Sequence, residues 1–204
     1  MDPSTILYFG SFNPVRSEHL RIAERTLEAT RDTELWFVVS PHNPFKSVRE
    51  LAPERDRLEM VRLALESSPL RGSLKASDVE FALGQPSLTF RTLERLENLY
   101  PGRRFRLLIG SDNVDGFDRW FRYDDILSRY EVLVYPREGR MPEKRELASR
   151  FTFLQNVPPG IGAATDIRAA IAAGEDPGDR LPERVWQYIR ENRLYGYDTS
   201  GTTD

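Results

Sequence analysis

Ile6-Leu7-Tyr8-Phe9-Gly10-Ser11-Phe12-Asn13-Pro14-Val15-Arg16-Ser17-Glu18-His19-Leu20 is the stretch whose reading decides the fold. Apolar residues of strand length stop at a Gly-Ser turn, and Leu20, Ala23 and Leu27 then recur at the helical period. A strand that runs through a short turn into a helix presents unpaired backbone N–H groups and the positive end of the helix dipole. The turn therefore reads as a phosphate site. It lacks the glycine spacing of the Gly-x-Gly-x-x-Gly dinucleotide loop and the Gly-Lys-Ser/Thr ending of the Walker loop. Its pattern is Gly10-x-Phe12-x-Pro14, followed by His19 in the first helical turn.

Outward from this stretch, further strand-length apolar runs lie at Leu35 to Val39, Phe105 to Ile109 and Val132 to Tyr135, with a weaker one at Phe151 to Leu154. Helical patterns separate them: Leu58, Val61 and Leu65 share a face, as do Leu93, Leu96 and Leu99. Strands that alternate with helices, and that are continuously apolar, predict a parallel sheet covered on both faces. Thr165 to Ala173 and Pro182 to Asn192 read as closing helices, and Met141 to Arg150 as a charged surface helix. The expected fold class is α/β, a single doubly wound, Rossmann-like parallel sheet over residues 1–197. A polar tail, expected to be disordered, follows over 198–204. Ligands are expected at the carboxyl ends of the strands.

At 204 residues the chain suits one domain with its own core. A formal net charge of −3 gives no reason to expect a nucleic-acid surface, so any anion site must be local. The chain has no cysteine, which excludes disulfides, thiolate metal sites and a cysteine nucleophile. No basic leader and no apolar run of the roughly 20 residues that span a bilayer is visible. The expectation is a cytoplasmic protein with no membrane partner, and the sequence leaves homo-oligomerisation open.

Each strand end carries candidate chemistry. Gly10, Ser11 and Phe12 form the first turn, and His19 is one of only 2 histidines. An anion bound at the turn would favour the imidazolium, so His19 was suited to charge on substrate binding. Arg16 reads equally as a planar fork for phosphate oxygens or as a solvated side chain. Glu18 reads as an ordinary acid at a helix start, or as a charge that opposes a nucleotide unless it turns to solvent. Lys46 ends the stiff loop Ser40-Pro41-His42-Asn43-Pro44-Phe45-Lys46 and is suited to a polyphosphate. Thr89, in Pro86-Ser87-Leu88-Thr89, is with Ser87 a candidate helix cap. Gly110-Ser111-Asp112 offers a carboxylate after a strand, with an Asx turn as the plain alternative. Trp120 offers an aromatic plate, though tryptophan is more often core. Thr165 can cap a helix whose N–H groups face a phosphate, and Arg168 lies one turn in.

Gly10-x-Phe12-x-Pro14 with His19 resembles the motif of the nucleotidyltransferases, Gly-x-Phe-x-Pro-x-His/Thr-x-Gly-His, with Arg16 in the His/Thr place and Glu18 in the glycine place. The loop ending at Lys46, the Pro-Ser-x-Thr segment, Gly-Ser-Asp-x-x-x-x-Phe-x-x-Trp and Thr165-x-Ile167-Arg168 resemble, more narrowly, the nicotinate-nucleotide adenylyltransferases. With Val185-Trp186-x-Tyr188-Ile189 the likeness spans nearly the whole chain, although Gly162, Ala163 or Ala164 stands where the family has serines. The resemblance implies transfer of AMP from ATP to nicotinate mononucleotide, with magnesium (Mg2+) accompanying the ATP and no dedicated metal site in the chain. It implies His19 at the transferring phosphoryl group and Gly10, Ser11, Phe12, Arg16, Lys46, Thr165 and Arg168 around the ATP. Thr89, Asp112 and Trp120 would hold the nicotinate end. Two readings stand beside it: an enzyme of the same fold with another acceptor, such as pantetheine phosphate, and a homologue that binds nucleotides without transfer, motivated by Arg16, Glu18 and the replaced serines.

Overall fold

The computed structural model describes residues 4–41, 51–137, 142–160 and 162–198. Strand β1 (Ser4–Gly10) carries apolar side chains on both sides, with Ile6 and Tyr8 packed into one core cluster and Leu7 into another. A strand of that kind is stable only between two layers of helix. It is flanked by β2 (Glu34–Val39) and β4 (Arg104–Gly110), both parallel to it. With β3 (Leu74–Ser77), β5 (Glu131–Tyr135) and β6 (Thr152–Phe153) the sheet order is β3-β2-β1-β4-β5-β6, every pairing parallel.

Helices α1 (Ser17–Thr30), α2 (Glu54–Glu66), α6 (Ala164–Ala172) and α7 (Glu183–Glu191) contribute Leu20, Leu58, Ile167 and Val185 to the cluster that holds Ile6 and Tyr8. Helices α3 (Thr89–Leu99) and α4 (Tyr123–Arg129) cover the opposite face with Leu93 and Ile126. This is the doubly wound, Rossmann-like arrangement expected from the alternating pattern. The chain reverses direction across the sheet between β1 and β4, and the crevice beyond the carboxyl ends of those strands is the general ligand position in such sheets. Register aligns the ends, with Gly10 opposite Val39 and Gly110 opposite Tyr135.

Several local expectations are corrected. A sixth strand, β3, is present where none was expected: it is a short edge strand whose four residues include only one buried apolar side chain, Leu74. The last strand shrinks to Thr152–Phe153, both exposed at the other edge. Leu99 does not share the buried face of Leu93 and Leu96; it is 45% exposed. Each three-residue step falls about 60° short of a full helical turn, so a third step leaves the stripe. The surface helix expected over Met141 to Arg150 is the single turn α5 (Arg145–Ala148).

Candidate active site

The turn after β1 is held by side chains that the local pattern does not announce. An added Cβ at Gly10 would lie 2.7 Å from the Phe12 ring, so only glycine lets that ring fold back over the strand end. Phe12 itself has a φ of 44°, a left-handed conformation that costs a non-glycine residue about 1–2 kcal/mol and is held here by packing against Tyr8, Phe37 and the His19 ring. Arg57, 1% exposed on α2, donates to the carbonyls of Ser11 (2.7 Å), Ser40 (2.7 Å), Pro41 (2.9 Å) and Ala52 (2.8 Å). One guanidinium thereby ties the ends of β1 and β2 to the start of α2, and burial draws its pKa below the ordinary arginine value. The Asn13 side-chain oxygen accepts from the Ala52 N–H (2.9 Å) and the Tyr195 hydroxyl (3.0 Å).

At the start of α1 the Arg16 N–H donates to Nδ1 of His19 at 3.0 Å, and the His19 N–H donates to the Arg16 carbonyl at 3.0 Å. Nδ1 is therefore an acceptor, which leaves the ring proton on Nε2. This bond fixes the orientation of the imidazole ring at the start of α1. Neither reading of Arg16 as solvated nor of Glu18 as turned to solvent holds, since both are buried. Their ion pair closes at 3.2 Å, Arg137 approaches Glu18 at 3.6 Å, and Arg137 also lies 3.8 Å from Asp112. Arg16 further donates to the Gly162 carbonyl at 3.3 Å. A Cβ at Gly160 would lie 2.7 Å from Arg137 and 3.0 Å from Glu18, so the glycine-rich segment before α6 makes room for this network.

Two cavities open at the carboxyl edge and share Tyr8, Phe9, Gly10, Asn113 and Tyr135. The larger, about 490 Å³, is the polar one; Ser11, Phe12, Arg16, His19, Asp112, Arg137, Thr165 and Arg168 are in its wall. Glu18 does not line it, whereas its two guanidinium partners do. The other, about 400 Å³, is mostly apolar and is lined by Thr89, Trp120, Phe121, Ser87 and the buried Glu80. Trp120 stacks on Phe117 with ring centroids 4.6 Å apart. The Tyr8 and Tyr135 hydroxyls bond to each other at 3.2 Å between the cavities, and burial pushes both phenols above their ordinary pKa.

The structure brings those expected residues that fall in its described segments into these two cavities, with two differences of detail. Asp112 lies in the polar cavity, accepting from the Asn113 amide at 3.1 Å, and does not line the apolar one. Thr165 and Thr89 are not caps: Ala163 and Leu88 precede α6 and α3, with no side-chain cap bond at either. Arg168 is anchored to the first turn by donating to the Asn13 carbonyl at 3.1 Å. Lys46 and its loop from His42 lie outside the described residues. Arg57, Glu80 and Arg137 escaped the sequence reading, because nothing local distinguishes one arginine or one glutamate among many. Among the described residues no group of three or more His, Asp or Glu side chains is placed to hold a metal, and no helix is long and apolar enough to cross a membrane.

A parallel sheet in this order, with a glycine turn after β1 and adjoining polar and apolar cavities at the reversal point, defines a Rossmann-like α/β protein whose crevice lies at the general ligand position of such sheets. The chain belongs to the cytidylyltransferase-like family, whose model matches residues 7–200. Its relatives include proteins named for nicotinate-nucleotide adenylyltransferase activity. One, from Bacteroides fragilis, is 43% identical over 185 residues, covering 91% of this chain and 90% of its own. Another, from Flavobacterium johnsoniae, is 40% identical over 190 residues, covering 93% and 97%. The fold matches that of Plasmodium falciparum nicotinic acid mononucleotide adenylyltransferase complexed with NaAD, with a TM-score of 0.80 at 18% identity, covering 96% of this chain and 98% of that one.

Proposed function

We propose that this chain transfers AMP from ATP to nicotinate mononucleotide, forming nicotinate adenine dinucleotide and pyrophosphate. The observation that carries the reading is the pair of adjoining cavities, a polar one beside His19 and an apolar one beside Trp120, with a common wall at the end of β1. One suits a triphosphate and the other a flat ring, so the acceptor phosphate would meet the α-phosphorus near Gly10.

In this reading an oxygen of the acceptor phosphate attacks the α-phosphorus, a new P–O bond forms, and the bond to the leaving pyrophosphate breaks. No side-chain nucleophile is needed, because the acceptor phosphate is already an anion. The chain contributes position and electrostatics. His19 donates through Nε2 to the oxygens of the transferring group, and Arg16, Lys46, Thr165 and Arg168 hold the triphosphate with the N–H groups of Gly10, Ser11 and Phe12. Trp120 stacks on the ring and Thr89 contacts it, with Asp112 at the junction. Magnesium would accompany the ATP, held chiefly by the oxygens of its phosphates.

The alternative of a binding protein without transfer rested partly on the Glu18 charge. Its pairing with Arg16 and Arg137 removes that motive. The deciding experiment incubates purified protein with ATP, magnesium and nicotinate mononucleotide and follows pyrophosphate together with the dinucleotide product. Equal amounts of both are expected. Confirmed ATP binding with no product would overturn the proposal.

A further inference from the structure

Among the described residues Glu80 is the one carboxyl group in the wall of the apolar cavity. It sits in the 3-10 turn Val79–Ala82 that follows the edge strand β3, and it is only 2% exposed. Oε1 accepts from the Thr92 hydroxyl of α3 at 2.7 Å, whereas Oε2 is buried with no hydrogen-bond partner in the geometry of the described residues. The other residues that face it are hydroxyl groups, Ser40 after β2 and Ser87 before α3. Among the described residues Arg119 is the only other charged residue lining the cavity, and it is exposed. Tyr8 and Tyr135 line the same cavity with phenols that burial keeps neutral. An isolated carboxylate in such a place is disfavoured, while the acid form turns the orphaned oxygen into a hydroxyl and carries no charge.

We propose that Glu80 determines the acceptor preference of this pocket: as the neutral acid it leaves a carboxylate-bearing ring unopposed, and once ionised it repels that ring while tolerating the uncharged amide. The inference rests on the adenylyltransferase reading above and goes beyond it by naming a residue that acts through charge, without contact to the reacting atoms. Burial pushes the carboxyl pKa of Glu80 up, against the smaller opposing effect of its hydroxyl neighbours, so the acid form persists above the ordinary carboxylate range. A second negative charge in a poorly solvated cavity is felt strongly, because water does not screen it.

The test measures kcat/KM for nicotinate mononucleotide and nicotinamide mononucleotide between about pH 5 and 9, the range over which a buried glutamate titrates. The two acceptors share ribose and phosphate, so their ratio isolates the ring substituent. In the unmodified enzyme the nicotinate-to-nicotinamide ratio is expected to fall about tenfold as Glu80 ionises, equivalent to one unit of pKa coupling. Glu80→Gln keeps the shape and the Thr92 bond and should hold the ratio at its low-pH value throughout. Thr92→Val withdraws a donor that favours the ionised form and should move the fall to higher pH. A ratio independent of pH, or a Glu80→Gln profile that follows the unmodified one, overturns the inference while leaving the adenylyltransferase reading intact. If neither acceptor is turned over, that reading fails, and calorimetric binding of the two mononucleotides at the two ends of the pH range decides the matter. The same pH-dependent preference would sustain the role of Glu80, and equal or absent binding would end it.

Discussion

The Arg16 backbone N–H and Nδ1 of His19 are joined at 3.0 Å, so one side of the imidazole starts the helix while the ring as a whole lines the polar cavity. The two roles are separable. Asparagine at this position can accept the same N–H through its oxygen but cannot reach where Nε2 lies. His19→Asn is expected to keep the unfolding midpoint and lower kcat by about 10²–10³, the usual effect of removing one transition-state donor. His19→Ala should lose both activity and stability. Steady-state kinetics and thermal unfolding of the two variants check this, and equal stability losses would remove the distinction.

Glu18 is neutralised by two guanidiniums, so its removal is expected to harm the fold. Glu18→Gly alone removes the carboxylate that Arg16 and Arg137 share, leaving Asp112 at 3.8 Å beside Arg137, and the expected loss is on the order of 3 kcal/mol. The double change Arg16→Thr with Glu18→Gly should recover much of that loss. A double-mutant cycle by urea unfolding measures the coupling, and additive effects would show that the pair is not a unit.

Arg57 satisfies four carbonyl groups from three separate segments. Arg57→Met fills similar space but leaves these acceptors without their donor. At about 1–3 kcal/mol for an unsatisfied buried group, with partial relaxation, the expected destabilisation is about 3 kcal/mol or more. Denaturant titration reads it directly. Because the guanidinium holds the strand-end turns, KM for ATP should rise in parallel.

Glu80 also predicts a pH dependence of stability. Its native pKa lies above the unfolded value, so the folded state keeps a proton that the unfolded chain releases as pH rises past the ordinary carboxylate range. Its contribution is complete below the unfolded pKa and is lost as pH rises through the folded one. Glu80→Gln removes this loss, so its melting temperature relative to the unmodified protein should climb from acid to alkaline pH. Parallel thermal scans across that range provide the check.

Trp120 is expected to act on the acceptor alone. Trp120→Ala should raise KM for nicotinate mononucleotide about tenfold, as loss of a base-stacking surface does elsewhere, with KM for ATP nearly unchanged. Trp120→Phe should restore much of the affinity. Equal effects on both substrates would assign the tryptophan to packing on Phe117 instead.

Much of the architecture was legible in the sequence because it is local. The apolar run at Ile6 to Phe9, the Gly-Ser turn and the three- and four-residue spacing after Leu20 are properties of neighbouring residues, and they suffice for a strand-turn-helix unit and hence for a parallel sheet. The edge strand β3 was not legible, because a strand with one buried face position carries almost no apolar signal. The helix starts at Thr89 and Ala164 illustrate a second limit: a hydroxyl in the right place by sequence need not be the cap, since the chain entering the helix sets which residue comes first.

From sequence alone came the class of fold, the phosphate-receptive turn and the candidate positions of His19, Arg168 and Trp120, all of which rest on periodicity and on short-range chemistry. Tertiary structure alone decided the charge states and the supports. Glu18 is neutralised through Arg137, Tyr8 meets Tyr135 across 127 positions of chain, Arg57 gathers carbonyls from separate loops, and Glu80 is sealed beneath the apolar cavity. Burial and pairing between residues remote along the chain set these properties, and no local pattern encodes either.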